Sequence, residues 1–267
     1  VLGGVGILFK KIIDDTPQIT ANDLKPSAYT TTVYANDGET VLGTFVSAGS
    51  NRVYTSLENI PKYLQDAFIA VEDSRFYDHK GIDLKGIVRA AAEAVQAGRL
   101  TQGASTITQQ LLKNNVFENW TNESTIQKIK RKIQEIYLAL QLEENVSKDI
   151  ILENYLNTIN LGSGCYGVQA ASQRYFNKNV SDLTISESAV IAAITQNPYG
   201  YNPIYHPEKN AKRRAHVLEY MLKNDMLEVI EKFERENKSV YNKFRLTGGQ
   251  RRTLLKDKPT GFFETHI

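Results

Sequence analysis

The stretch PKYLQDAFIAVEDSRFYDHKG, Pro61–Gly81, is where the chain turns helical. Pro61 suits a first helical position, and Leu64, Ala67, Phe68 and Val71 recur at the three- and four-residue spacing of one helix face. The predicted helix therefore runs into Glu72, and the loop behind it carries Asp73, Asp78 and His79. Adjacent carboxylates are common on solvated surfaces. Glu72, however, directly follows the apolar run Phe68–Val71, and a carboxylate partly withdrawn from water at the end of such a helix is suited to general-base work.

Downstream the helical period persists. Leu84, Ile87, Val88, Ala91 and Val95 mark the next helix, ended by Gly98. GASTITQQLLKN, Gly103–Asn114, is a glycine-led helix start in which Thr106 and Gln109 have capping-box spacing. That box requires no ligand. Thr106, Gln109 and Lys113 nonetheless share one face, and their hydroxyl, amide and ammonium groups are what an anionic, hydroxyl-rich ligand would need. Ser124 with Gln127 opens a long helix with a predicted buried stripe of Ile129, Ile133, Ile136 and Leu140. On it, Arg131 and Lys132 stand one turn before Glu135, which periodicity alone reads as a solvated face with one ion pair. Ser147 begins another helix through Ile159, Thr184 with Glu187 repeats the capping box, and Pro207 starts a helix to about Lys223.

Towards the N-terminus, Thr30–Val46 alternates in a two-residue rhythm around Asn36-Asp37-Gly38, a hairpin signal. Val1–Ile13 is almost wholly apolar or glycine apart from Lys10 and Lys11, and a membrane-spanning helix takes about 20 such residues. The expectation is the remnant of a transmembrane helix, with a buried helix or the end of a secretory signal as alternatives. Beyond Asp225 the chain is charged, with a helix expected over Glu228–Lys238, a basic loop over Gly248–Lys258 and an aromatic-rich end, Phe262–Ile267. The organisation expected is thus an anchor remnant at 1–13, a linker with the hairpin at 14–60, the main domain at 61–225 and a linker at 226–267 leading to a further domain.

Composition narrows the function by exclusion. Lys plus Arg exceed Asp plus Glu by only 32 to 30, and a net charge of +2 gives no nucleic-acid surface. The single cysteine, Cys165, can form neither an internal disulfide nor, alone, a zinc site, and reads as a small packing residue. No glycine-rich dinucleotide motif, phosphate loop or His-Glu-x-x-His is present.

Taken in order, VEDSRF, GASTITQQLLKN, KRKIQE, ENYLNTINLGSGCYGVQAASQRYF (Glu153–Phe176) and ESAVIAAITQNPYGYNPIYHPEKNAKRRAHVLEYM (Glu187–Met221) resemble the motifs of the family 51 glycosyltransferases. These occur as monofunctional enzymes and as the first catalytic domain of class A penicillin-binding proteins. The resemblance implies a mainly α, lysozyme-like helical lobe with a small membrane-apposed lobe. It implies polymerisation of lipid II, outside the cytoplasmic membrane and from a single-pass anchor, into β-1,4-linked glycan with inversion and release of polyprenyl pyrophosphate. Its partners would be lipid II, the growing strand, the membrane and other cell-wall synthesis proteins. By position, Glu72 matches the family's catalytic base and Glu135 its second essential glutamate. Arg89, Ser105, Gln109, Gln110, Lys113, Arg131 and Lys132 align with positions that contact sugar or pyrophosphate. No cofactor is implied beyond a divalent cation, Mg or Mn, near Glu135, and no residue is assigned as a metal ligand. A lysozyme-like glycan-cleaving enzyme is the competing reading, since it needs a glutamate acid but has little use for four cations. A catalytically silent wall-binding scaffold is a second.

Overall fold

Side chains near in sequence set most of the helix ends. The computed structural model describes residues 2–25, 31–38, 40–45, 51–98, 103–117, 120–224 and 226. In chain order these form α1 (Leu2–Asp14), β1 (Thr31–Tyr34), β2 (Val41–Phe45), β3 (Asn51–Arg52), α2 (Lys62–Glu72), α3 (Leu84–Ala97) and α4 (Ile107–Asn115). There follow α5 (Thr125–Asn145), α6 (Lys148–Thr158), β4 (Cys165–Tyr166), α7 (Val168–Phe176), α8 (Ile185–Ala192) and α9 (Pro207–Lys223). The fold is mainly α. The expected helix at 228–238, the basic loop at 248–258 and the aromatic end at 262–267 lie outside the described residues.

Thr106, Ser124 and Thr184 each accept the N–H three residues on, from Gln109, Gln127 and Glu187, whose side chains return to the cap N–H. Such a cap contributes about 1 kcal/mol to its helix. Pro61 sits one position before the first helical residue, as the cap of α2. Asp83 caps α3 through the Gly86 N–H, and Gly98 ends that helix in the left-handed region.

The described chain divides into two compact units. The first comprises Val1–Ser27 and Arg75–Tyr155. Within it α5 carries both α1 and α4, around a core that includes Leu24, Phe76, Leu111, Leu138 and Leu142. Gly81, with φ +83°, lies so close to α5 that a Cβ there would fall 2.5 Å from the Ala139 carbonyl oxygen. The Gly81 carbonyl in turn accepts the Thr106 hydroxyl at 2.8 Å, so Gly81 meets the start of α4 as well as the body of α5. The buried stripe of α5 differs from the predicted one. Ile129 and Leu140 are 58% and 38% exposed, while Gln134, Glu135, Leu138, Ala139 and Leu142 are buried. Polar side chains occupy that face because each is partnered: the Gln134 amide reaches the Ile12 and Asp15 carbonyls, and Glu135 meets two cations. On α3 the apolar face points to solvent, with Leu84, Val88 and Val95 exposed by 64%, 70% and 85%.

The second unit comprises Ala28–Ser74 and Leu156–Ile267. Here α2 packs against α8 and α9, and α8 against α7 and α9. Phe68, Val190, Ile191 and Met221 are fully buried among them. β1 pairs antiparallel with β2 from Thr31 opposite Phe45, across a turn in which Asp37 accepts the Thr40 N–H at 2.8 Å. β3 pairs in parallel with β4, and the Asn157 amide brackets Thr55 by accepting its N–H at 2.9 Å and donating to its carbonyl at 2.8 Å. Cys165 is buried here, and burial pushes its thiol up to about 11, which suits packing and not nucleophilic chemistry. Among the described residues no helix is long and apolar enough to cross a membrane; α1 has 13 residues.

Candidate active site

Two carboxylate centres, one in each unit, hold most of the predicted site residues. Glu72 is the last residue of α2, directly after the buried Phe68, Ile69 and Ala70, and is itself half-buried. The Thr195 hydroxyl, in the turn after α8, donates to Glu72 Oε1 and also lies 3.0 Å from the Ala192 carbonyl oxygen. Asp73 follows as the buried cap of α2, its N–H on the Ile69 carbonyl at 2.9 Å.

Glu135, in the first unit, is 2% exposed and does not lie on a solvated face. Arg131 Nη1 donates to its Oε1, and Lys132 Nζ donates to its Oε2 at 3.1 Å. Lys132 also donates to Ser105 Oγ at 2.8 Å and to Gln109 Oε1 at 3.0 Å, linking α5 to the start of α4. Arg131 Nε reaches both oxygens of Glu123, at 3.0 and 2.8 Å. Burial disfavours the Arg131 charge, but the hydrogen bond to Glu123 and the attraction of Glu135 outweigh it and hold the guanidinium above its ordinary value. The Trp120 ring lies 4.5 Å from Lys113 Nζ and 5.9 Å from the Arg131 guanidinium carbon. Arg131 and Lys132 thus meet the two carboxylates while Lys113 lies over the neighbouring Trp120 ring, a grouping of cations suited to an anion.

Ser105, Gln109, Arg131, Lys132 and Glu135 thus form one connected network, which Lys113 joins through Trp120. Gln110 is apart from it, accepting the Tyr155 hydroxyl at 3.3 Å. Arg89 is on the exposed side of α3, 3.9 Å from Glu93. His79 stands edge-on to Phe76 and 3.4 Å from Lys148, which pairs with Glu143 at 2.7 Å, so the loop's histidine belongs to a packing network. The surroundings of Glu135 do not fit a divalent cation. Its oxygens already face two cations, and among the described residues no three His, Cys, Asp or Glu side chains converge on a metal position.

Three partners were not singled out from the sequence: Trp120, Glu123 and Thr195. Trp120 was signalled only by being the chain's one tryptophan, between two polar motifs.

Residues 38–222 match the family model described as Transglycosylase, and the chain belongs to that family. It is 42% identical over 230 residues to penicillin-binding protein 1A of Neisseria flavescens, covering 85% of this chain and 28% of that protein. Over 171 residues it is 50% identical to penicillin-binding protein 1F of Bacillus subtilis (strain 168), covering 64% of this chain and 23% of that protein. The crystal structure of penicillin-binding protein 1A from Haemophilus influenzae aligns with a TM-score of 0.42 at 24% identity, over 85% of this chain and 23% of the other. The chain thus spans about a quarter of the length of the relatives it matches.

Proposed function

We propose that this chain is a peptidoglycan glycosyltransferase that polymerises lipid II into β-1,4-linked glycan with release of polyprenyl pyrophosphate. The observation that carries the proposal is the buried Glu135 held among Arg131, Lys132, Ser105 and Gln109, a cationic network of the kind a departing pyrophosphate requires. In this reading Glu72 takes the proton from the sugar 4-hydroxyl as it attacks C1 of the lipid-linked donor, and direct displacement inverts that carbon. Lys132 and Lys113, with Arg89, meet the pyrophosphate, and Ser105, Gln109 and Gln110 hold sugar hydroxyls or phosphate oxygens. Arg131 is turned into Glu123 and Glu135 and acts chiefly by fixing Glu135. The apolar face of α3 rests on the lipid or the bilayer surface. A single-pass membrane anchor, an extracytoplasmic domain over 61–225 and other cell-wall synthesis proteins as partners complete the proposal.

Purified chain incubated with lipid II tests it, with glycan length and released polyprenyl pyrophosphate read together. Glu72→Gln abolishes polymerisation while the melting temperature holds, and more than a few per cent residual rate would remove Glu72 from the base role. Glu135→Gln costs at least about tenfold, equivalent to about 1.4 kcal/mol of barrier. Cleavage of finished glycan without pyrophosphate release would instead select the lysozyme-like reading.

A further inference from the structure

We propose that Thr195 is a positioning residue for Glu72, a role that rests on Glu72 being the base. Its hydroxyl has one hydrogen and two acceptors in reach, Glu72 Oε1 and the Ala192 carbonyl oxygen at 3.0 Å. While Glu72 is ionised, the hydroxyl donates to Oε1 and limits rotation of the carboxylate about its last, soft torsion. When Glu72 takes the proton of the attacking sugar hydroxyl, Oε1 becomes a poorer acceptor and the Thr195 hydrogen turns to Ala192. Its oxygen then remains as an acceptor for the protonated carboxyl. The substrate proton ends on Glu72, the sugar oxygen keeps its electron pair for the bond to C1, and Thr195 neither gains nor loses a proton. The Ala192 carbonyl is fixed at the end of α8, whose residues are buried against α2, so both acceptors stand on packed helices. A hydroxyl placed in this way serves both protonation states of the base, which an apolar side chain of the same shape cannot do.

The test compares Thr195→Val, which keeps the shape, with Thr195→Ser, which keeps the hydroxyl, in lipid II polymerisation by the whole chain. Thr195→Val lowers kcat about tenfold, as expected for loss of one hydrogen bond to a charged group, with KM within about twofold. Thr195→Ser recovers the rate to within about threefold of the parent. Thr195→Ala, read in the same way, stands in if the valine variant melts more than about 2 °C early. Unchanged kcat in the variants lacking the hydroxyl, or a serine variant as slow as they are, overturns the proposal. The Glu72→Gln control separates the two readings. If it is inactive while Thr195→Val is fully active, only the role of Thr195 fails. If it is active, the base assignment itself fails and the Thr195 proposal with it.

Discussion

Lys113 sits over the single tryptophan of the chain, and this contact decides how that cation is presented. A Lys or Arg over an indole face gains about 0.5–2 kcal/mol, and it also loses much of the freedom of a long side chain. Trp120→Ala therefore removes the ring contact of Lys113 with little cost to the core, because Trp120 is only half-buried. The expected outcome is a drop of about three- to tenfold in affinity for a phosphoglycolipid inhibitor of the moenomycin type, partly restored by Trp120→Phe. Lys113→Ala weakens the same ligand further, by about 1.5–3 kcal/mol for a charge contact to phosphate. Titration calorimetry reads both, and unchanged affinity with lost thermal stability would make the pair structural. Neither Trp120 nor Thr195 was legible as a partner in the sequence, for the same physical reason. Trp120 opens a short 3₁₀ helix and Thr195 stands in a turn, both outside an α-helical period, and Thr195 meets Glu72 across 123 positions, a pairing that no local spacing encodes.

Elements were legible where their signals are local. The boxes at Thr106, Ser124 and Thr184 are readable because cap and partner are three residues apart. The buried side of α5 was not, because Gln134 and Glu135 enter the interior only by virtue of carbonyls on α1 and cations on their own helix. For α3, periodicity marks an apolar face but does not say what covers it, and in this fold Leu84, Val88 and Val95 are open to solvent. Val88→Asp and Val95→Asp therefore leave the melting temperature within about 2 °C, since they remove no buried contact. They reduce sedimentation with anionic lipid vesicles at least about threefold if this face rests on a bilayer. Unchanged sedimentation would remove α3 from the membrane surface. The cap of the same helix tests its own stability: Asp83→Ala loses the Gly86 N–H contact at 2.9 Å and the Arg75 pair at 2.6 Å. It destabilises the first unit by about 1–2 kcal/mol in urea titration.

Across the whole molecule the perturbed titrations fall unevenly between the two units, and this gives acid and alkali different targets. In the first unit, Asp15 is held below its ordinary value by the hydrogen bond from Lys130, and Asp23 by the Thr20 hydroxyl and N–H. Burial opposes the ionisation of Asp83, but the Gly86 N–H and Arg75 outweigh it and lower that carboxyl too. In the second unit Glu219 is lowered by Lys223, while burial raises the Cys165 thiol from 9.0 to about 11 and the Tyr175 phenol above its usual 10.0. A carboxylate with a depressed folded value contributes stability that is present above its ordinary value and lost as the pH falls through the folded one. A thiol with a raised value contributes stability that is present below 9.0 and lost as the pH rises towards about 11, because the unfolded chain ionises first. The melting temperature therefore holds a plateau between about pH 5 and 8.5 and falls on either side. Trp120 lies in the first unit and reports on it alone, whereas circular dichroism reports on helices of both. Below about pH 4 the fluorescence transition comes at least as early as the helical one, because among the described residues three of the four lowered carboxyls lie in that unit. On the alkaline side Cys165→Ala removes one titrating group and flattens the decline between pH 9.0 and about 11. An alkaline slope identical in the parent and Cys165→Ala would mean that the thiol ionises as readily in the fold as in the open chain, and Cys165 would have to be solvated.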